Sequence, residues 1–227
     1  MRLLLVRHGH PNYELDCLTP LGRLQAEAAA ERLTNENIDA IYASTCGRAL
    51  ETASYTASRY NLPVMELPFM REVSWGYNGE PNDPAGHPWD LVDRMILEGK
   101  TLCNHNWREI PPFHGNSICD NVDMIANNID NWLQTLGYTR EGDYYRAGEN
   151  TKKTVALFSH GGSSNAVLAH IFNLPFPYVI QVFRANFTSI TVLNFPDAPG
   201  ALVMPVMELV NDYAHIQGIN TPQFFGN

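Results

Sequence analysis

The stretch LLLVRHGH at residues 3–10 joins four apolar residues to an arginine, two histidines and a glycine. Four apolar residues in a row are typical of a short strand that is buried on both faces. Such a strand ordinarily ends in turn residues, whereas this one ends in a cation and an imidazole. We therefore expect Arg7 and His8 to lie in a site that performs chemistry.

The rest of the chain alternates strands with helices. Thr19 is a favourable N-cap and Pro20 suits the first helical position, so a helix is predicted there, with Leu21, Leu24, Ala28 and Leu33 on its apolar face. Further strands are predicted over residues 38–43, 64–67, 154–158, 187–193 and 203–209. Further helices are predicted over residues 47–60, 118–136 and 161–173.

This alternation predicts an α/β fold, a three-layer α/β/α sandwich around a mainly parallel sheet. Ligands of such sheets bind beyond the carboxyl ends of the strands, where Arg7-His8, Ser44–Arg48 and Ser159-His160 should converge. A segment at about 76–118 is rich in Pro, Gly, Asn, His and Trp, with one helical pattern near 88–97, and is interpreted as a lid or insertion. We expect residues 1–227 to form a single domain.

Composition limits the possible partners. The net charge of −9 argues against a broad electrostatic surface for nucleic acid or an anionic membrane. The sequence contains no apolar run of about 18 residues, the length that a membrane span needs, and no signal peptide is predicted. The four cysteines, Cys17, Cys46, Cys103 and Cys119, form no CxxC pair and are expected to be reduced. We expect a cytoplasmic protein; a homo-oligomer is possible.

The residues after the first strand suit phosphoryl transfer without a metal. That reaction needs fixed cations around the phosphate oxygens, a neutral nucleophile and an acid for the leaving oxygen. Arg7 would bind the phosphate with its planar guanidinium, and His8 has an unprotonated ring nitrogen at neutral pH. Gly9 would allow the backbone to approach the phosphate closely.

At residues 7–9 the RHG tripeptide resembles the signature of the histidine phosphatase superfamily, whose members are phosphoglycerate-mutase-like. Other motifs of that family follow in order and extend the resemblance over roughly residues 3–195. They are LTPLGRLQA at 18–26, STCGRALETA at 44–53, REVSWG at 71–76, GNS at 115–117 and SHGG at 159–162. A phosphoglycerate-mutase-like fold is therefore expected.

The resemblance implies a role for each site residue. His8 would form a phosphohistidine, while Arg7, Arg48 and His160 would hold the phosphoryl oxygens. Glu72 would protonate the leaving group and later activate water. The backbone amide of Gly161, at the start of a helix, would add a donor to the same oxygens. The implied activity is hydrolysis of small phosphomonoesters with no cofactor and no metal.

Some positions depart from the family pattern. His10 and Pro11 follow the RHG motif where an acidic residue or Gln and then Ser or Thr are frequent. Glu14 stands where the family usually has Asn, so Asn12 is the nearest substitute, and Asn116 replaces the glutamate of the GES motif. We expect Asn12 and His10 to contact substrate.

Three other functions are weighed against the phosphatase. A mutase of the phosphoglycerate type needs further basic residues for a second phosphate, and the lid offers only Arg94, Lys100 and Arg108, widely spaced. A metallohydrolase is suggested by the HxH pair of His8 and His10, but it needs more ligands than His160 alone. The third is a non-catalytic protein that binds phosphorylated ligands on the same fold.

Overall fold

The computed structural model describes residues 1–76 and 87–219. The strands are β1 (Arg2–Arg7), β2 (Pro11–Asn12), β3 (Cys17–Leu18), β4 (Ala40–Ala43), β5 (Val64–Glu66), β6 (Tyr138–Glu141), β7 (Tyr144–Ala147), β8 (Thr154–Ser159), β9 (Ile190–Asn194), β10 (Leu202–Val203) and β11 (Val206–Asp212). The helices are α1 (Pro20–Leu33), α2 (Gly47–Tyr60), α3 (Pro88–Leu97), α4 (Ser117–Thr135), α5 (Gly161–Ile171) and α6 (Phe176–Val182). Among the described helices, none is long and apolar enough to cross a membrane.

A six-stranded sheet forms the centre of the molecule, in the order β11-β9-β1-β8-β4-β5. The four strands β1, β8, β4 and β5 are parallel to one another. At one side of the sheet β9 pairs antiparallel with β1, and the edge strand β11 pairs antiparallel with β9 and so runs in the same direction as β1. The mainly parallel α/β sheet that the sequence predicts is confirmed. The carboxyl ends of β1, β4 and β8 lie side by side, because Arg7 is paired in register with Ser159 and Ala43 with Phe158.

Alternate residues of β1 enter two different hydrophobic cores. Leu3 and Leu5 pack with residues of α3 to α6, whereas Leu4 and Val6 pack on the opposite face with residues of α1 and α2. Burial of both faces explains the uninterrupted apolar run, since each side chain leaves water whichever way it points. The helices thus cover the sheet as the two outer layers.

Helix α1 begins as predicted, but its buried face is different. Thr19 is the N-cap and its side chain accepts a hydrogen bond from the Gly22 amide. The predicted core residue Leu24 is 61% exposed. The buried face instead carries small residues and a glutamine, namely Gly22, Gln25, Ala26, Ala29 and Ala30, together with Leu33. Small side chains allow the helix to lie close to the backbone that follows β1.

The later part of the chain differs most from the prediction. The strand expected over residues 203–209 is two strands in different sheets, because Pro205 lies between them and has no amide proton for a ladder. The β6–β7 hairpin and α6 were not predicted. Helix α3 is confirmed at Pro88–Leu97. The single domain with a lid stays a prediction, and residues 77–86 of that segment lie outside the described residues.

Candidate active site

A cavity of about 670 Å³ opens at the carboxyl ends of the parallel strands. It is lined by residues that follow β1, β4 and β8, by the segment around α3, and by the loop after α6. The lining residues are Arg7, His8, Tyr13, Arg48, Glu72, Val73, Trp75, His87, Pro88, Trp89, Asp90, Asp93, Gly161, Asn165, Arg184, Ala185 and Asn186. Five of the residues singled out from the sequence, Arg7, His8, Arg48, Glu72 and Gly161, therefore share one cavity.

His8 presents an unprotonated nitrogen. Its Nδ1 atom lies 2.7 Å from the carbonyl oxygen of Gly9. Because a carbonyl oxygen only accepts hydrogen bonds, Nδ1 carries the ring proton. Burial, and then the charge of Arg7, hold the pKa of His8 well below its usual value of 6.5. The ring is therefore neutral at neutral pH, with a lone pair on Nε2.

Arg7 and Arg48 line the same cavity as His8, and each guanidinium group donates a hydrogen bond to another part of the protein. Arg7 Nη1 donates to the carbonyl oxygen of Ala185 over 2.6 Å, and its Cζ lies 4.4 Å from the centre of the Phe187 ring. Burial lowers the pKa of Arg7, and the Glu72 carboxylate counters this effect. Arginine nevertheless stays charged at neutral pH. Arg48 is at the first turn of α2 and its Nη1 donates to the Asp16 carboxylate.

Asp16 is an unpredicted member of the site. Its Oδ2 accepts a hydrogen bond of 2.8 Å from the backbone amide of Gly47, while its Oδ1 accepts from Arg48. Burial raises the pKa of Asp16, but the bonds from Gly47 and Arg48 outweigh it, so the pKa falls below its usual value. The β2–β3 hairpin, which carries Asp16, thus fixes both the start of α2 and one edge of the Arg48 guanidinium.

His160 lies behind His8 and outside the cavity lining. The two ring centroids are 5.1 Å apart, with the ring planes at 61°. His160 Nε2 is 2.8 Å from Ser44 Oγ at the end of β4. Burial holds the pKa of His160 well below 6.5, and the positive charges of Arg48 and Arg7 lower it further. The two histidines are therefore neutral and in edge contact.

Glu72 lies at the N-terminus of α5. Its Oε1 accepts from the amide of Ser163 over 2.9 Å, and its Oε2 accepts from the amide of Gly162 over 3.2 Å. An added Cβ at Gly162 would lie 2.6 Å from Glu72 Oε1 and 2.5 Å from Val73 Cγ2, so a larger residue would displace the Glu72 carboxylate. The first residue of the helix, Gly161, lines the cavity. An anion at this helix end is favoured by the helix dipole.

The glycine of the RHG motif is needed for packing. A Cβ at Gly9 would lie 2.6 Å from the carbonyl oxygen of Gly22, and one at Gly22 would lie 2.2 Å from the carbonyl oxygen of His10. The absence of a side chain at Gly9 therefore allows helix α1 to pack closely, and the approach of phosphate to this backbone stays a prediction. Gln25 and Thr52 hold the same loop by accepting bonds from the amides of His10 and Gly9.

His10 and Asn12 are not among the residues that line the cavity, and their contact with substrate stays a prediction. His10 Nδ1 is 2.9 Å from Thr19 Oγ1, and its ring packs edge-on against Phe187. Asn12 Oδ1 accepts from the amides two and three residues ahead, at Glu14 and Leu15. Both side chains therefore have local hydrogen-bond partners outside the described cavity lining.

The cavity also has aromatic and polar walls, most of which lie outside the sequence motifs. Trp75 and Trp89 line it together with Asp90, and Arg184 enters from the loop after α6. Arg184 Nη2 donates to Asp93 Oδ1 over 2.6 Å. Arg94, Lys100 and Arg108, the lid cations considered for a mutase, are not among the lining residues.

Each histidine of the HxH pair uses its Nδ1 atom for a local contact. His8 Nδ1 faces the carbonyl oxygen of Gly9, whereas His10 Nδ1 faces the hydroxyl of Thr19. Within residues 1–76 and 87–219, no group of three or more His, Cys, Asp or Glu side chains could hold a metal ion. The geometry of the pair thus gives no support to the metallohydrolase alternative.

Comparison with known proteins identifies a common family. Residues 3–98 match the model of the histidine phosphatase superfamily, branch 1. A glucosyl-3-phosphoglycerate phosphatase of Mycolicibacterium vanbaalenii is 31% identical over 183 residues, which cover 77% of this chain and 75% of the relative. A probable phosphoglycerate mutase of Yersinia enterocolitica is 23% identical, with 95% of each chain covered.

The same fold is found in a solved structure, a phosphoserine phosphatase mutant from Entamoeba histolytica in complex with phosphoserine. Its TM-score is 0.64 and its sequence identity 24%, with 95% of this chain and 98% of that chain covered.

Proposed function

The chain belongs to the histidine phosphatase superfamily and is a phosphomonoesterase of that family, and we propose that His8 is its nucleophile. The observation that carries this proposal is the 2.7 Å contact between His8 Nδ1 and the Gly9 carbonyl oxygen, which leaves a lone pair on Nε2. Arg7 and Arg48 line the same cavity and would bind the phosphoryl oxygens.

In the first step His8 Nε2 attacks phosphorus, so that an N–P bond forms and the ester P–O bond breaks. Glu72 gives its proton to the departing oxygen. The arginines, His160 and the Gly161 amide stabilise the charge on the transferred group. In the second step Glu72 takes a proton from water as the water oxygen attacks phosphorus, the N–P bond breaks and inorganic phosphate leaves.

The acid role requires Glu72 to be protonated when substrate is bound. In the unliganded site its carboxylate accepts hydrogen bonds from the amides of Gly162 and Ser163. A phosphate dianion beside Arg7 and Gly161 would oppose a second negative charge at this helix end.

We propose that the leaving group is uncharged and either hydroxyl-rich or aromatic. The cavity volume of about 670 Å³ exceeds what a phosphate alone fills. Trp75 and Trp89 offer flat apolar faces, and Asn165 and Asn186 offer hydrogen bonds. Beyond Arg7 and Arg48, Arg184 is the one guanidinium in the described lining, and Asp93 neutralises it. The described lining therefore offers a second phosphate no guanidinium without a carboxylate partner beyond the two that would bind the first.

The function is tested by measuring phosphate release from a panel of sugar phosphates, nucleoside monophosphates, phosphoserine and phosphoglycerates. We expect the sugar phosphates or nucleoside monophosphates to have the highest kcat/KM. In a separate assay with 3-phosphoglycerate and 2,3-bisphosphoglycerate, phosphate release should exceed isomerisation. Rapid isomerisation with little free phosphate would make the mutase the better assignment.

Trp89→Ala tests the proposed leaving-group wall. Trp89 Cζ2 would lie 3.8 Å from a Cβ added at Gly161, so the indole borders the phosphoryl end of the cavity. We expect about a 10-fold increase in KM for the preferred ester, in line with the loss of one aromatic contact. The KM of a phosphomonoester with a minimal alkyl leaving group should change less. Equal changes for the two esters would contradict the wall.

The remaining proposals concern the cellular setting. The four cysteines are free, which supports a reducing compartment, and we propose a cytoplasmic location. The partner is a small phosphorylated molecule and not a nucleic acid, in keeping with the net charge of −9.

A further inference from the structure

We propose that Ser44 is a positioning residue that fixes the ring proton of His160 on Nδ1, so that an N–H donor lies beside His8. The inference rests on the proposed function, in which His160 binds the phosphoryl oxygens. It assigns a task to the serine that begins the STCGRALETA motif, four residues before Arg48.

Ser44 is fully buried where β4 ends, and its hydroxyl has two contacts within the described part of the chain. Its Oγ accepts a hydrogen bond from the backbone amide of Cys46 over 3.3 Å. The same oxygen lies 2.8 Å from His160 Nε2. The Ser44 amide donates to the carbonyl oxygen of Phe158 over 2.9 Å, which anchors the residue to the neighbouring strand β8.

These contacts determine which partner donates. A hydroxyl has one proton and two lone pairs, and one lone pair of Ser44 is used by the Cys46 amide. If His160 Nε2 donated, the Ser44 proton would be buried with no acceptor among the described residues, which native structures avoid. The Ser44 hydroxyl therefore donates to Nε2. Burial and the nearby positive charges keep the His160 ring neutral, so its single proton is on Nδ1.

The consequence concerns the other side of the ring. His160 Nδ1 is buried and has no hydrogen-bond partner within residues 1–76 and 87–219. The ring centroid is 5.1 Å from that of His8. A buried N–H without a partner is unfavourable until a ligand accepts from it. An oxygen of the phosphoryl group on His8 Nε2 is such an acceptor, so the donor is in place before charge develops on that group.

The tautomer can be measured without an activity assay. The protein is labelled with ¹⁵N-histidine, and long-range ¹H–¹⁵N correlations are recorded near neutral pH, with His160 assigned from the signals lost in His160→Gln. We expect a protonated Nδ1 and an unprotonated Nε2 in the wild type. In Ser44→Ala the proton should shift wholly or partly to Nε2, because nothing then donates to that atom.

Ser159→Ala is the matched control. Ser159 is also a buried serine at a strand end, but its Oγ contacts Ser163 Oγ over 2.7 Å and not His160. We expect this variant to keep the wild-type His160 tautomer. Should Ser44→Ala fail to fold, Ser44→Cys is used in its place, since a thiol has a similar size and is a weak donor.

Single-turnover kinetics give the functional readout. We expect Ser44→Ala to slow phosphohistidine formation about 10-fold, less than the roughly 100-fold expected when the whole donor is removed in His160→Ala. KM should change less than the rate. A proton on Nε2 in the wild type, or an unchanged tautomer in the folded Ser44 variant, overturns the inference. A failed phosphatase assay with the expected tautomer would instead count against the proposed function alone.

Discussion

The backbone amide of Ser163 donates a 2.9 Å hydrogen bond to Glu72 Oε1, although the two residues are far apart in the sequence. The bond joins the segment after β5 to the first turn of α5, where the helix dipole favours an anion. It places a carboxylate beside Gly161, which lines the cavity. The Glu72 carboxylate thus accepts hydrogen bonds from the free amides at the start of α5 and also places a proton-transfer group beside the site.

Glu72→Gln should separate these two roles. A glutamine retains one oxygen for the amides but has no acidic proton, so esters with poor alkoxide leaving groups should react about 100-fold to 10,000-fold more slowly. An aryl ester such as p-nitrophenyl phosphate should still form phosphohistidine, because its leaving group needs little protonation. Breakdown by water should slow, so a burst of p-nitrophenol followed by a slow steady state is expected in stopped-flow measurements.

Glu66→Gln is the control for that experiment, because Glu66 is an exposed glutamate on β5 and is not in the cavity lining. It should behave as the wild type. Equal slowing of alkyl and aryl esters in Glu72→Gln, without a burst, would give Glu72 a structural or phosphate-positioning role and leave the acid unidentified.

Chelation should not affect turnover. Arg7 and Arg48 supply fixed positive charge at the cavity, the role that a metal ion has in metallohydrolases. After dialysis against EDTA we expect kcat/KM to stay within experimental error of the untreated enzyme. A large loss that zinc restores would favour the metallohydrolase alternative based on His8 and His10.

Protein stability should fall as the solution becomes more acidic than about pH 6.5. The folded-state pKa of His8 and of His160 is below the value of 6.5 for an exposed histidine. Between the two pKa values the unfolded chain therefore binds more protons, and each histidine removes up to about 1.4 kcal/mol of unfolding free energy per pH unit. Urea unfolding at a series of pH values measures this slope.

His160→Gln should reduce that slope by about one proton's contribution. His114→Gln is the control, because His114 is exposed and should leave the slope unchanged. Carboxylates with lowered pKa values, such as Asp16, contribute equally to both variants. An identical slope in His160→Gln and the wild type would show that His160 is not buried as a neutral ring.

The sequence predicts the strand ends well, since a buried strand followed by a polar motif has few alternative structures. The strand before Arg7, the helix after Cys46 and the strand before His160 all have the expected positions. Which face of a helix is buried is harder to predict. Leu24 suits a core by composition, yet close packing of Gly9 on Gly22 favours the small-residue face of α1.

The parts of the site outside the motifs could not be predicted because they depend on long-range packing. Arg184 follows a short helix that the apolar pattern does not reveal, and Asp16 is in a hairpin of two-residue strands. The family resemblance suggests Asn12 because it is the asparagine nearest to the position of Glu14, and its side chain caps the turn ahead of it. Local hydrogen bonds of this kind compete with a ligand role for short polar side chains.

The central claim, that His8 Nε2 receives the phosphoryl group, is tested most directly by rapid quench with a ³²P-labelled phosphomonoester under alkaline conditions, followed by peptide mapping. We expect an acid-labile, alkali-stable label on the peptide that contains His8, formed and lost at rates consistent with turnover. His8→Ala should fold, carry no label and release no phosphate. A label on another residue, or near-normal phosphatase activity in His8→Ala, would contradict the account.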